Sequence, residues 1–141
     1  MTKMYESKIQ NGEFNQNNGK IEKSKLIKKL RELTQANHIF ADSIAINQSE
    51  IAVLMQTFGI SWDELKQPSN TFSLYYKMVL TENDLRKQFD WHANTLKVAK
   101  EKGIKEERDM ELMLTGFLNG VSFFNPELRN EFSLMADKFY N

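Results

Sequence analysis

Length, composition and charge restrict this chain to a few classes of protein. It has 141 residues, of which 40% are hydrophobic, and this fits one domain with one ordinary core. It contains no cysteine and only two histidines, which excludes disulfides, thiolate chemistry and a three-histidine metal site. Nineteen Lys and Arg balance nineteen Asp and Glu, so net charge alone does not indicate nucleic-acid binding. Without an apolar run of membrane-span length or a signal segment, we expect a cytoplasmic protein with no membrane partner.

The first third of the chain is polar and then basic. Residues 1–19 are rich in Asn and Gln, which predicts a flexible lead-in. From Lys20 to about Ile44, apolar residues recur at helical spacing and predict one long amphipathic helix. Its six Lys and Arg, taken alone, favour a solvated helix face.

The next segment has the outline of a helix-turn-helix. Asn47, with Glu50 three residues later, is a capping-box-like start for a second helix that Gly59 stops. Ser61 then caps a brief helix that Pro68 ends.

Residues 69–103 are ambiguous between helix and strand. Residues 69–80 fit both periods, and we predict a helix because Ser, Asn and Thr supply caps at its start. Residues 84–90 and 95–99 resemble two strands around a turn at 91–94. Periodicity alone favours one helix there, because Leu85, Phe89, Leu96 and Ala99 fit one helical face.

The last third is helical. Apolar residues recur at helical intervals up to Phe124, and Asn125 then caps a final helix with Pro126 in its first turn. Gly116 and Gly120 lie four apart in the first of these helices, which suggests close backbone packing.

Several segments resemble the MarR/SarA-like family of winged helix-turn-helix regulators. INQSEIAVLMQTFG (46–59) resembles the family's second helix, and Asn70-Thr71-Phe72-Ser73 stands where its recognition helix commonly has Ser-Thr-Val-Ser. Asn83 stands where a glycine usually ends that helix, and DLRKQFD (84–90) and TLKVAKEKG (95–103) resemble the two strands of the wing. The resemblance therefore favours a hairpin over the continuous helix.

The resemblance implies a fold and a domain plan. The fold is mainly α with a small β-hairpin wing, a winged helix-turn-helix that dimerises through its terminal helices. Residues 20–141 form the single domain, with a DNA-reading core at 46–103 and dimerisation helices at 20–44 and 104–141.

The function that the resemblance implies is transcriptional regulation by a homodimer on a near-palindromic operator in double-stranded DNA. It implies no cofactor and leaves any small-molecule effector unidentified. The residues that it places on DNA are Ser69, Asn70, Thr71, Ser73, Lys77, Arg86, Lys87, His92, Asn94 and Lys97. Those that it places in the dimer interface are Leu26, Leu30, Leu128, Phe132, Met135 and Phe139. The alternative roles of the DNA-contact residues are to cap a helix and to form a solvated hairpin. The alternative role of the interface residues is an intrachain core.

Two other functions remain open. The neutral net charge and the single cation of the recognition helix, Lys77, favour a small helical protein–protein interaction or inhibitor module without DNA binding. Arg86 and His92 match the Arg-x(4 to 6)-His spacing of helical HEPN ribonucleases, a pattern that has meaning only if residues 82–102 form one helix. We expect a protein that is not an enzyme.

Overall fold

The computed structural model describes residues 19–35, 41–66 and 75–140. In this part the chain is mainly helical with one small antiparallel two-stranded sheet, as predicted at this coarse level. The elements are β1 (Lys20–Glu22), α1 (Lys23–Gln35), α2 (Ala41–Phe58), α3 (Trp62–Lys66), β2 (Tyr75–Lys77), α4 (Glu82–Lys102), α5 (Glu107–Phe124) and α6 (Pro126–Tyr140). The predicted lead-in, apart from Gly19, lies outside the described residues.

The core lies among α1, α2, α4, α5 and α6. Phe89 of α4 stacks on Phe132 of α6 with ring centroids 4.6 Å apart, and both side chains are fully buried. Helices α2 and α5 approach most closely at Gly116, which has no side chain. A Cβ atom at this position would overlap the carbonyl oxygen of Ile46. The glycines of α5 thus allow the close packing that their spacing suggested.

The predicted wing is wrong, because residues 82–102 form the continuous helix α4. Thr81 and Asp84 form a capping box at its start, with the Asp84 N–H donating to Thr81 Oγ1 at 3.1 Å and the Thr81 N–H donating to Asp84 Oδ2 at 2.8 Å. Asn83 therefore lies in the first turn of a helix and does not end one. Gly103, at φ +62°, ends α4 in the left-handed conformation.

The predicted recognition helix is also wrong where the structure describes it. Tyr75, Tyr76 and Lys77 form β2, which pairs with β1 in the register Glu22–Tyr75, Ile21–Tyr76 and Lys20–Lys77. Ile21 is buried under this sheet, and the Tyr76 hydroxyl donates to Glu64 Oε2 of α3 at 2.7 Å. These contacts hold the segment extended. Residues 69–74 lie outside the described residues.

The long first helix is wrong as well, because β1 and α1 occupy its first part and Ile44 belongs to α2. Helix α2 begins six residues before Asn47, the predicted cap. The side-chain amide of Asn47 instead donates to the carbonyl oxygen of Leu33 at 3.5 Å, where α1 approaches its end. This long-range hydrogen bond gives Asn47 a role inside a helix.

Three predicted helix boundaries are confirmed. Gly59, at φ +65°, follows the end of α2, and Ser61 Oγ accepts the Glu64 N–H at the start of α3. Asn125 Oδ1 accepts the Leu128 N–H at the start of α6. Among the described helices, none is long and apolar enough to cross a membrane.

Candidate functional site

The structure does not gather the predicted DNA-binding residues into one surface. Ser69, Asn70, Thr71 and Ser73 lie outside the described residues. Lys77 is exposed on β2, whereas the residues assigned to the wing, Arg86, Lys87, His92, Asn94 and Lys97, all lie along α4. By helical geometry Arg86, Lys87, Asn94 and Lys97 lie on one side of that helix, whereas His92 points away from them.

Arg86 and His92 show this separation. Arg86 forms ion pairs with Glu82 of its own helix and Glu131 of α6, and these hydrogen bonds raise the pKa of the guanidinium. His92 packs against Phe117 of α5 instead, with ring centroids 5.0 Å apart. Although α4 meets the condition for the ribonuclease pattern, the structure does not bring the two side chains together.

Four of the six residues predicted for a dimer interface are buried inside one chain. Leu26, Leu30, Leu128 and Phe132 are at most 3% exposed and belong to the hydrophobic core, while Met135 is partly buried against it. The side chain of Phe139 lies outside the described set. The four buried residues thus have the alternative role of an intrachain core, and the dimer interface through the terminal helices stays a prediction.

An exposed apolar surface lies on the outer side of α4 and was missed by the sequence analysis. Trp91 is 55% exposed, Val98 44% and Ile104, just after the helix, 42%. Thr95 lies between the first two, and we call these four residues the α4 stripe. Trp91, Thr95 and Val98 are spaced i, i+4 and i+7 on the side of α4 opposite the buried Leu85–Phe89–Leu96 face, and this spacing is the signal that could have found them.

The α4 stripe borders a shallow groove and has charged ends. The groove has a volume of about 470 Å³ and is lined mainly by apolar side chains, including Val98, Ala99, Ile104 and Met110. By helical geometry, Asp84 and Lys87 precede Trp91 on the same face, and Glu101 and Lys102 follow Val98. Each end thus carries one acid and one base.

A second feature is a cleft of about 640 Å³ that we call the His92 cleft. Helices α2 and α4 form its walls, and α5 forms its floor with Met110, Met113 and Phe117. Three glutamines, Gln48, Gln56 and Gln88, line the walls together with Ser49 and His92.

The polar groups of the His92 cleft are mostly neutral. Burial lowers the pKa of His92 to about 4, so its imidazole is uncharged at neutral pH. The Gln88 amide donates to Gln56 Oε1 across the cleft at 3.4 Å, and Ser49 Oγ donates to the Met113 carbonyl at 2.6 Å. Asp109 is the one charged residue among those that line it. Such a site suits an uncharged ligand that offers hydrogen-bonding groups.

A third feature is the cationic outer face of the small sheet. Lys20 lies directly opposite Lys77, and the same face carries Glu22 opposite Tyr75, which is 52% exposed, so the face has two cations and one acid. Lys23 Nζ lies 4.7 Å from the centre of the Tyr76 ring. Like charges directly opposite each other disfavour strand pairing, and an anion between them would relieve the repulsion.

Nothing in the described residues points to a metal, and comparisons with known proteins identify no relative. No group of three or more His, Asp or Glu side chains in the part that the structure describes could hold a metal ion. Neither protein-family models, curated proteins nor solved structures give a match to the chain. The resemblance to MarR-like regulators therefore stays a prediction.

Proposed function

We propose that this protein is a small helical protein-interaction module that acts by binding and not by catalysis. The observation that carries the proposal is the α4 stripe, where Trp91, Val98 and Ile104 expose large apolar side chains beside an apolar groove. Tryptophan is the residue most enriched among those that dominate binding energy at protein interfaces. Because the core is formed without this face of α4, its apolar side chains are available to a partner.

The partner that fits the stripe is a second copy of the chain. If two α4 helices pack antiparallel about a two-fold axis near Asn94 and Thr95, Trp91 of each faces Val98 of the other. In this register Lys87 of one helix lies level with Lys102 of the other and one residue from its Glu101, while Asp84 lies within about one turn of Lys102. Apolar residues meet at the centre, and acidic and basic side chains from both helices surround them at each end.

The experiment is sedimentation equilibrium of the full chain over a range of concentrations. We expect dimers whose dissociation constant rises at least tenfold in Trp91→Ser, because the variant loses the central aromatic contact. The matched control is Trp62→Ser, since Trp62 is 56% exposed on α3, away from the stripe. A wild-type chain that stays monomeric, or equal weakening by both variants, would contradict the proposal.

A DNA-binding regulator is the second candidate function, and the cationic face of the sheet favours it. Lys20 and Lys77 could contact phosphates while Tyr75 packs on the backbone or on a base. In this function the sheet of β1 and β2 contacts DNA, and not the wing predicted at residues 84–99.

The test is fluorescence anisotropy with labelled DNA from around the gene and with scrambled DNA, at two salt concentrations. DNA binding predicts a salt-sensitive affinity that falls several-fold in the double variant Lys20→Gln/Lys77→Gln. Lys138→Gln, which removes an exposed cation from α6, serves as the control. Equal responses of the two variants, or no binding to either DNA, would exclude this role for the sheet.

A further inference from the structure

The His92 cleft has the size and shape of a small-molecule site. Its volume of about 640 Å³ falls within the range of roughly 300–1,000 Å³ that is typical of ligand pockets. Its walls come from α2 and α4, whereas the α4 stripe lies on the outer side of α4. The two features are neighbours, because Met110 lines both the cleft and the groove beside the stripe, and the Trp91 ring contacts the His92 ring.

The charges of the cleft select against anions. No Lys or Arg is among its lining residues, and the one charged side chain there, Asp109, is negative. The imidazole of His92 is neutral at physiological pH because burial holds its pKa low. No cation lines the cleft to pair with a phosphate or carboxylate group. The part of the ligand that binds inside the cleft is therefore uncharged.

The hydrogen-bonding groups of the cleft favour a ligand whose edge carries a hydrogen-bond donor beside an acceptor. The Gln88 amide nitrogen donates to Gln56 Oε1, which leaves the amide nitrogen of Gln56 as a donor and the carbonyl oxygen of Gln88 as an acceptor. No further hydrogen bond joins these two groups to the described residues. A glutamine amide can bond in two places to the amino group and ring nitrogen of adenine, which present this donor–acceptor pattern.

The floor of the cleft favours a planar ring. Met110 and Met113 present flexible, polarizable thioethers, and the half-buried imidazole ring of His92 is held against the buried Phe117 ring. Thioethers and aromatic rings both pack well against flat heterocycles. The same ligand can thus bond to the glutamines by its edge and pack on the floor by its face.

We propose that the His92 cleft binds a neutral purine base of the adenine type, with the edge of the base at Gln56 and Gln88 and its face against Met113 and His92. The ligand is a free base or nucleoside, because a phosphate group gains nothing from a cleft whose charged lining residue is Asp109.

The test is a titration of the isotopically labelled full chain, followed in proton–nitrogen correlation spectra, with adenosine, AMP and purine riboside. Adenosine should shift the side-chain amide signals of Gln56 and Gln88 and should bind about tenfold more tightly than purine riboside, which lacks the amino group. AMP should bind no more tightly than adenosine. The absence of shifts at millimolar adenosine, or shifts confined to other surfaces, would overturn the proposal.

Variants localise the binding. Ala52→Trp places a large side chain at the exposed rim of the cleft and should abolish the shifts, whereas Thr115→Trp, on an exposed position of α5 outside the cleft, should not. Gln88→Leu should weaken adenosine binding about tenfold. Adenosine binding that survives Ala52→Trp would also overturn the assignment. Val98→Ser, at an exposed position of the α4 stripe that does not line the cleft, should leave it unchanged, so the dimer and the ligand site can fail independently.

Discussion

His92 is the titratable residue that lies half-buried in the cleft between α2 and α4. A turn at 91–94 would have exposed the imidazole, but α4 places it half-buried against Phe117 in the His92 cleft. Burial without an acidic partner makes the neutral form the stable one. The stability of the fold therefore depends on pH through the protonation of His92.

We expect acid to destabilise the fold partly through His92. The pKa of His92 is about 4 in the folded chain, against an ordinary value of 6.5, so the unfolded chain binds a proton more readily. The contribution of the neutral imidazole to the free energy of unfolding is fully present above about pH 6.5 and is lost as the pH falls toward 4. Thermal melts from pH 7 to 4.5 should show a steeper fall in Tm for the wild type than for His92→Gln. Parallel curves for the two chains would show that the imidazole is not buried as described.

At the scale of elements, the start of α4 decides whether residues 82–102 form a helix or a hairpin. The Thr81–Asp84 capping box satisfies N–H groups that have no partner within the helix. Thr81→Ala should therefore lower the free energy of unfolding by about 1 kcal/mol. Thr115→Ala, which changes an exposed threonine within α5, should leave stability unchanged or slightly raised, since alanine is the better helix former. Chemical denaturation measures both, and an equal effect of the two changes would contradict the role of the cap.

The elements that the sequence predicted well are those with local signals. Gly59, Ser61 and Asn125 mark boundaries through their own backbone or side-chain chemistry, and the structure has these boundaries. Periodicity also favoured one helix at 84–99, and the resemblance to a winged helix replaced that correct interpretation with a wrong one. The capping box at Thr81 was the overlooked local signal.

The elements that the sequence did not predict depend on contacts between distant residues. Strand β2 is extended because it pairs with β1, more than fifty residues earlier in the chain, and because Tyr76 reaches Glu64. Asn47 looked like a cap, but its bond to the Leu33 carbonyl lies within the folded bundle. The His92 cleft likewise needs three helices to come together, so its glutamines had no common pattern in the sequence.

At the scale of the whole molecule, the core uses most of the apolar faces and leaves the α4 stripe exposed. The terminal helices, which were expected to bind a second copy, bury Leu26, Leu30 and Phe132 within one chain. The candidate surface for self-association thereby moves from the ends of the chain to α4. Its apolar centre and charged ends make the antiparallel pairing of two α4 helices the central claim.

The most direct test of that claim is the distance between spin labels in single-cysteine variants, which the absence of native cysteine makes simple. Asn94→Cys lies near the proposed two-fold axis, so its two labels should be close. Lys87→Cys labels should be separated by about 22 Å along the helix axis, as the rise of an α-helix dictates. Short distances at residue 94 together with longer ones at 87 would establish the antiparallel pair. No dipolar signal at either position, or a shorter distance at 87 than at 94, would contradict it.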